Sequence, residues 1–155
     1  MIAIPYDLSM VTGAAPVTTN GATTADYLNM GNALRAIVVV TLKQAVGHET
    51  PITIRQAINN AGDGVKDLAK DVPIWANEDV AASDLLVQQA DGVAYTVSDT
   101  VKNKKVFFQV DGEDLDVDGG FTHITVLVGA SAAATNFVNI DYIVEPRFPE
   151  QTSID

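Results

Sequence analysis

The chain has 155 residues, of which 47% are hydrophobic and 19% charged, enough apolar surface to offset the entropy of ordering and to exclude a chain disordered throughout. Its 20 acidic residues outnumber 9 basic ones for a formal net charge of -11, so the average field repels a phosphate backbone and nucleic acid is not an expected partner. Cysteine is absent, which removes disulfides, thiolate metal sites and a cysteine nucleophile, and no run nears the roughly 18 apolar residues of a spanning helix, so no membrane is expected either.

Residues 1–24 read as an extended arm or loop. Met1, Ile2, Ile4, Pro5 and Tyr6 form a short apolar tip, and residues 11–24 are rich in Gly, Ala, Thr, Pro and Asn, with a turn signal at Asn20-Gly21. An apolar tip gains by leaving water, so Met1, Ile2, Ile4, Pro5 and Tyr6 are expected to lie across a neighbouring subunit. The tip has neither the basic region nor the apolar core of a signal peptide, so synthesis in a cytoplasm is expected.

Residues 25–149 read as a β-sandwich domain. From Leu34 the spacing places Leu34, Ala36, Val38, Val40 and Leu42 on one face and Arg35, Thr41 and Lys43 on the other. Ile52, Thr53, Ile54, Arg55 and Gln56 alternate after Pro51, a residue that starts a strand where no amide donor is needed. Turn formers from Asn59 to Gly64 end that strand, and residues 65–70 are predicted as one helical turn, the single helix of the chain. Residues 74–76 and 85–88 read as short strands, and residues 93–97, following Asp91-Gly92, predict a hairpin. In the final third, residues 105–110, 123–128 and 136–144 carry the clearest alternation. There Val138, Ile140, Tyr142 and Val144 fall on one side, and Asn139 and Asp141 on the other. Pro146 and Pro149 end the sheet, and residues 150–155 are expected to fray. Short strands separated by turn signals predict an all-β, antiparallel sandwich of jelly-roll type, with the strand order left open.

Little in the sequence suggests chemistry. Asp114, Asp116 and Asp118 at alternate positions before Gly119 resemble the start of a calcium loop, but position twelve of such a loop falls on Thr125 instead of a bidentate glutamate. A solvated acidic turn is expected there, with no metal and no cofactor. His48 and His123 lack metal-ligand spacing and read as surface or edge residues. Neither a Ser/His/Asp arrangement nor a phosphate-binding loop can be assembled, and the adjacent carboxylates Glu78-Asp79 and Glu113-Asp114 would diverge in strands. No enzyme is expected. Trp75, Phe108, Phe121, Phe137 and Tyr142 read as core or interface anchors, with core packing the leading reading. Phe107 neighbours Phe108 and must face the other way, which marks it as an interface residue.

Several blocks share a wider pattern. They are Thr53-Ile54-Arg55-Gln56-Ala57 followed by Ala61-Gly62-Asp63-Gly64-Val65-Lys66; Lys104-Lys105-Val106-Phe107-Phe108-Gln109-Val110; Asp114-Leu115-Asp116-Val117-Asp118-Gly119-Gly120-Phe121; Val128-Gly129-Ala130-Ser131; and Ile143-Val144-Glu145-Pro146-Arg147. With them the sequence resembles the small jelly-roll decoration or cement proteins of tailed-bacteriophage heads, over residues 25 to 149, with residues 67 to 103 outside the match. The resemblance implies a virion protein on the outer capsid surface, commonly a homotrimer, that binds the major capsid protein and braces neighbouring subunits. It transfers no functional residues, because the role is spread over a surface. Two other readings accompany it: a tail or head-to-tail connector protein, and a carbohydrate- or receptor-binding sandwich presenting Trp75 and Tyr95.

Overall fold

Residues 7–148 are described by a computed structural model, in which twelve strands follow one another as β1 (Ser9–Thr18), β2 (Thr23–Thr24), β3 (Leu28–Asn29), β4 (Ala33–Lys43), β5 (Thr50–Ala57), β6 (Lys66–Asp67), β7 (Ile74–Asn77), β8 (Val87–Gln88), β9 (Ala94–Val97), β10 (Asn103–Asp111), β11 (His123–Val128) and β12 (Phe137–Pro146). The first sheet has the order β1-β12-β4-β10-β7-β8. The second has the order β2-β11-β5-β6, with β3 also on β11 and β9 also on β5. The pairings are antiparallel, in keeping with the expected class.

Alternation builds the core between the two sheets. Ala36, Val38, Val40 and Leu42 of β4, Val106, Phe108 and Val110 of β10, and Val138, Ile140, Tyr142 and Val144 of β12 form one cluster with Ile52 and Ile54 of β5 and Ile124, Val126 and Val128 of β11. Each such side chain contributes about 1.5–3 kcal/mol by leaving water. The buried Tyr142 hydroxyl donates to the Asp26 carbonyl at 2.9 Å, and the Thr125 hydroxyl donates to the Ala25 carbonyl at 2.6 Å. Neither polar group is left unpaired in the core.

Four expectations are corrected. The segment read as an arm contains β1, an edge strand paired with β12 from Ser9↔Val144 to Thr18↔Phe137. Its small residues serve close packing: a Cβ on Gly13 would fall 2.6 Å from the Tyr142 ring. Residues 65–70 form no helix, because Gly62 and Gly64, with φ of 83 and 64, turn the chain back so that β6 pairs along β5. The Gln56 side chain then donates to the Asp67 carbonyl at 3.0 Å and fixes that return. The predicted hairpin at residues 93–97 is not formed: β8 joins β7 in the first sheet, whereas β9 crosses to β5 in the second, drawn by the burial of Val97. Leu34, placed inward from the sequence, is 50% exposed. Arg35 pairs with Glu145 but Ala33 pairs with Pro146, so Leu34 is the extra residue of a bulge beside a proline that cannot extend the ladder.

Candidate interaction surface

The strand register of the first sheet fixes what its outer face carries. Trp75, Phe107, Val39 and Asp141 lie side by side across β7, β10, β4 and β12. One pleat repeat away, Gln109, Ile37, Ile143 and Met10 form a second row across β10, β4, β12 and β1. Trp75, Phe107, Val39, Ile37 and Ile143 are all partly exposed, and Met10 is 61% exposed. These side chains form an aromatic and aliphatic patch that the fold leaves open to solvent. Phe107, singled out from sequence, therefore does face outward, while Phe108 is fully buried.

Both ends of this face are concave. At one end a cleft of about 510 Å³ lies among Arg35, Asp111, Glu113, Glu145 and Arg147. At the other a cleft of about 540 Å³ lies among Pro16, Thr41, Lys43, Phe137 and Asn139. Charge is unevenly matched along it. Arg35 pairs with Asp111 at 2.7 Å, and elsewhere Arg55, Lys66, Lys102 and Lys104 each pair with a carboxylate. Lys43 and Lys105, both on the outer face, have no ion-pair partner among the described residues. Asp141, at the middle of the face, receives a hydrogen bond from the Asn139 amide and none from a cation.

The remaining sequence-derived candidates do not converge. The Asp114 carboxylate accepts from the Asp111 backbone amide at 2.8 Å and closes a 3-10 turn, and burial pushes its pKa up. Asp116 is held by the Lys66 ammonium at 2.7 Å, which lowers its pKa, and it also accepts from the Gly119 amide. Asp118 is exposed in the same turn. No group of three His, Asp or Glu side chains that could hold a metal is found among the described residues. His48 lies in the turn before β5, beside the Thr50 hydroxyl, and His123 opens β11, where burial lowers its pKa. Trp75 and Tyr95 stand in different sheets and cannot form one flat platform. Met1, Ile2, Ile4, Pro5 and Tyr6 lie outside the described residues.

One polar cluster was not anticipated. Lys104, fully buried, donates to the Ser98 carbonyl at 2.6 Å and reaches Glu78 Oε2 at 3.0 Å. Glu78 also accepts from the Tyr95 hydroxyl at 2.8 Å and the Ser98 hydroxyl at 2.8 Å. Burial and the neighbouring Glu78 push the Tyr95 phenol up to about 12, so it stays a donor. Burial pushes the Glu78 carboxyl up, but hydrogen bonds from Lys104, Tyr95 and Ser98 and the Lys104 charge outweigh it and hold the carboxyl below its ordinary value. The stabilisation is therefore present above the ordinary carboxylate range and is lost as pH falls through the depressed value. In calorimetry from pH 7 to pH 3, the gap in thermal midpoint between the native chain and Glu78→Gln is expected to shrink once the solution is more acidic than an ordinary glutamate pKa, about 4.3. A gap that stays constant would mean that the carboxylate charge contributes nothing.

No protein-family model matches the chain, and neither does any curated protein. Among solved structures, the fold is similar to that of the SPBc2 prophage-derived protein YomS, with a TM-score of 0.50 at 12% identity, covering 93% of this chain and 97% of that one. At this identity the likeness is one of fold. A likeness to the infectious bursal disease virus Gt strain structure, with a TM-score of 0.24 over 43% of that chain, is too distant to carry an argument.

Proposed function

We propose that this chain is a non-catalytic structural protein of a tailed-phage virion, which binds the major capsid protein on the outer surface of the head and braces neighbouring subunits. The observation that carries this reading is the outer face of the first sheet, where Trp75, Phe107, Val39, Ile37 and Ile143 remain partly exposed on an otherwise well-packed sandwich. The sequence resemblance to decoration proteins supports it. So does a fold neighbour of prophage origin that is covered almost end to end. A net charge of -11 also suits the side of a shell that faces away from packaged DNA. In this reading Met1, Ile2, Ile4, Pro5 and Tyr6 contact the capsid neighbour, and the sandwich supplies contacts between copies. Individually weak contacts then act together on the lattice.

The test adds purified protein to heads that lack it and measures co-sedimentation. Saturable binding at on the order of hundreds of copies per particle is expected, weakened by deleting residues 1–7 and by Phe107→Glu. Saturation at about six or twelve copies would place the protein at a neck or tail ring instead. Absence of binding, or binding untouched by both changes, would sink the head reading.

A further inference from the structure

We infer that the outer face of the first sheet is covered by a second copy of this chain, related by a two-fold axis lying in the face, with Lys105 of each copy paired to Asp141 of the other. This deepens the proposed function, since it rests on that face being a contact surface, and it names the occupant.

The face carries charges of both signs that its own fold leaves unmatched. Lys105 and Asp141 flank β4 on opposite sides and stand one pleat repeat apart, since Lys105 pairs with Thr41 and Asp141 with Val39. In a chain so rich in acid, a face lysine without a carboxylate partner is left available to an anion from outside. Covering Asp141 with apolar surface alone would be costly, so its cover must bring a cation. A second copy meets both needs at once.

Strand and residue spacings of about 4.8 Å and 3.4 Å place the residues of the face on a simple lattice. The two-fold that exchanges Lys105 with Asp141 passes over β4 between Val39 and Thr41. The same operation sets Trp75 of one copy over Ile37 of the other and Phe107 beside Val39, so the aromatic residues meet aliphatic ones instead of empty space. The long strands β1, β12, β4 and β10 give a footprint of at most on the order of 600 Å², below the roughly 800 Å² per partner of a standard stable association, so the dimer is expected to be of modest affinity. Repulsion between two acidic chains is screened beyond about 8 Å at physiological salt. A three-fold assembly, as in the decoration-protein resemblance, would need two different surfaces, whereas this face is complementary to itself.

The experiment is sedimentation equilibrium at physiological salt on the full chain, with circular dichroism confirming that each variant stays folded. The native chain is expected to be a dimer. Lys105→Asp and Asp141→Lys are each expected to weaken it by about a hundredfold, because each places two like-charge contacts in the interface. An equimolar mixture of these two variants restores opposite charges at both contacts and is expected to recover a heterodimer of near-native affinity. Phe107→Glu should give monomer. A native chain that is monomeric or trimeric, or a mixture that fails to associate better than its components, would overturn the inference. Monomers that still coat heads would leave the decoration reading standing, and dimers that ignore heads would leave only this pairing.

Discussion

Phe108→Ala is expected to cost about 3–5 kcal/mol in urea unfolding at concentrations low enough to keep the chain monomeric, while Phe107→Ala, one residue earlier in the same strand, is expected to cost about 1 kcal/mol or less. Phe108 is fully buried in the cluster formed by both sheets, so its truncation removes apolar burial and leaves a cavity that β4, β10 and β12 cannot close without breaking their register. Phe107 points outward, where Trp75 and Val39 are its cross-strand neighbours, and it loses only their lateral contact. The two midpoints, measured with unchanged m-values, separate a residue that holds the fold from one available to a partner. Equal losses would mean that Phe107 is packed within the chain, and the contact face would lose its central residue.

Lys104→Ala is the second large effect, expected at about 3 kcal/mol. Removing one member of a buried ion pair strands the other, at about 3–5 kcal/mol in a closed interior, and the 34% exposure of the Glu78 side chain places this pair at the lower end. The substitution also frees the Ser98 carbonyl, so the turn joining β9 to β10 loses its anchor. Lys104→Met combined with Glu78→Gln is expected to regain most of the loss, since both charges leave together and the lysine volume is kept. A double-mutant cycle in thermal melts measures the coupling. If Lys104→Ala and Lys104→Met prove equally mild, the cluster is not an anchor.

The long strands were legible because period-two patterning survives in β4, β5, β10, β11 and β12, where one face meets the opposite sheet. β1 was hidden for a steric reason, as Gly13 and its small neighbours look like loop composition although the Tyr142 ring demands them. β6, at two residues, is too short to show a period, and β9 is marked as a strand in the sequence, but its pairing with β5, which is distant in sequence, is not. Leu34 misled because a bulge shifts parity without leaving a mark in the residue types. On the outer face, Phe107 was visible from its adjacency to Phe108. Trp75, Val39 and Asp141 become its row only once the register is known. Lys104 carries a usable signal, since it shares parity with Val106 and Phe108, although its residue type alone points to solvent.

The strand order has a consequence for biosynthesis. β4 sits between β12 and β10, and β1 pairs with β12 alone, so the early strands of the first sheet wait for a partner synthesised long after them. A nascent chain cannot complete this sheet until β12 has left the ribosome, and β1 and one edge of β4 remain unpaired until then. The first sheet therefore closes only after β12 has been made, and chains halted before β12 present unpaired strand edges to chaperones and proteases.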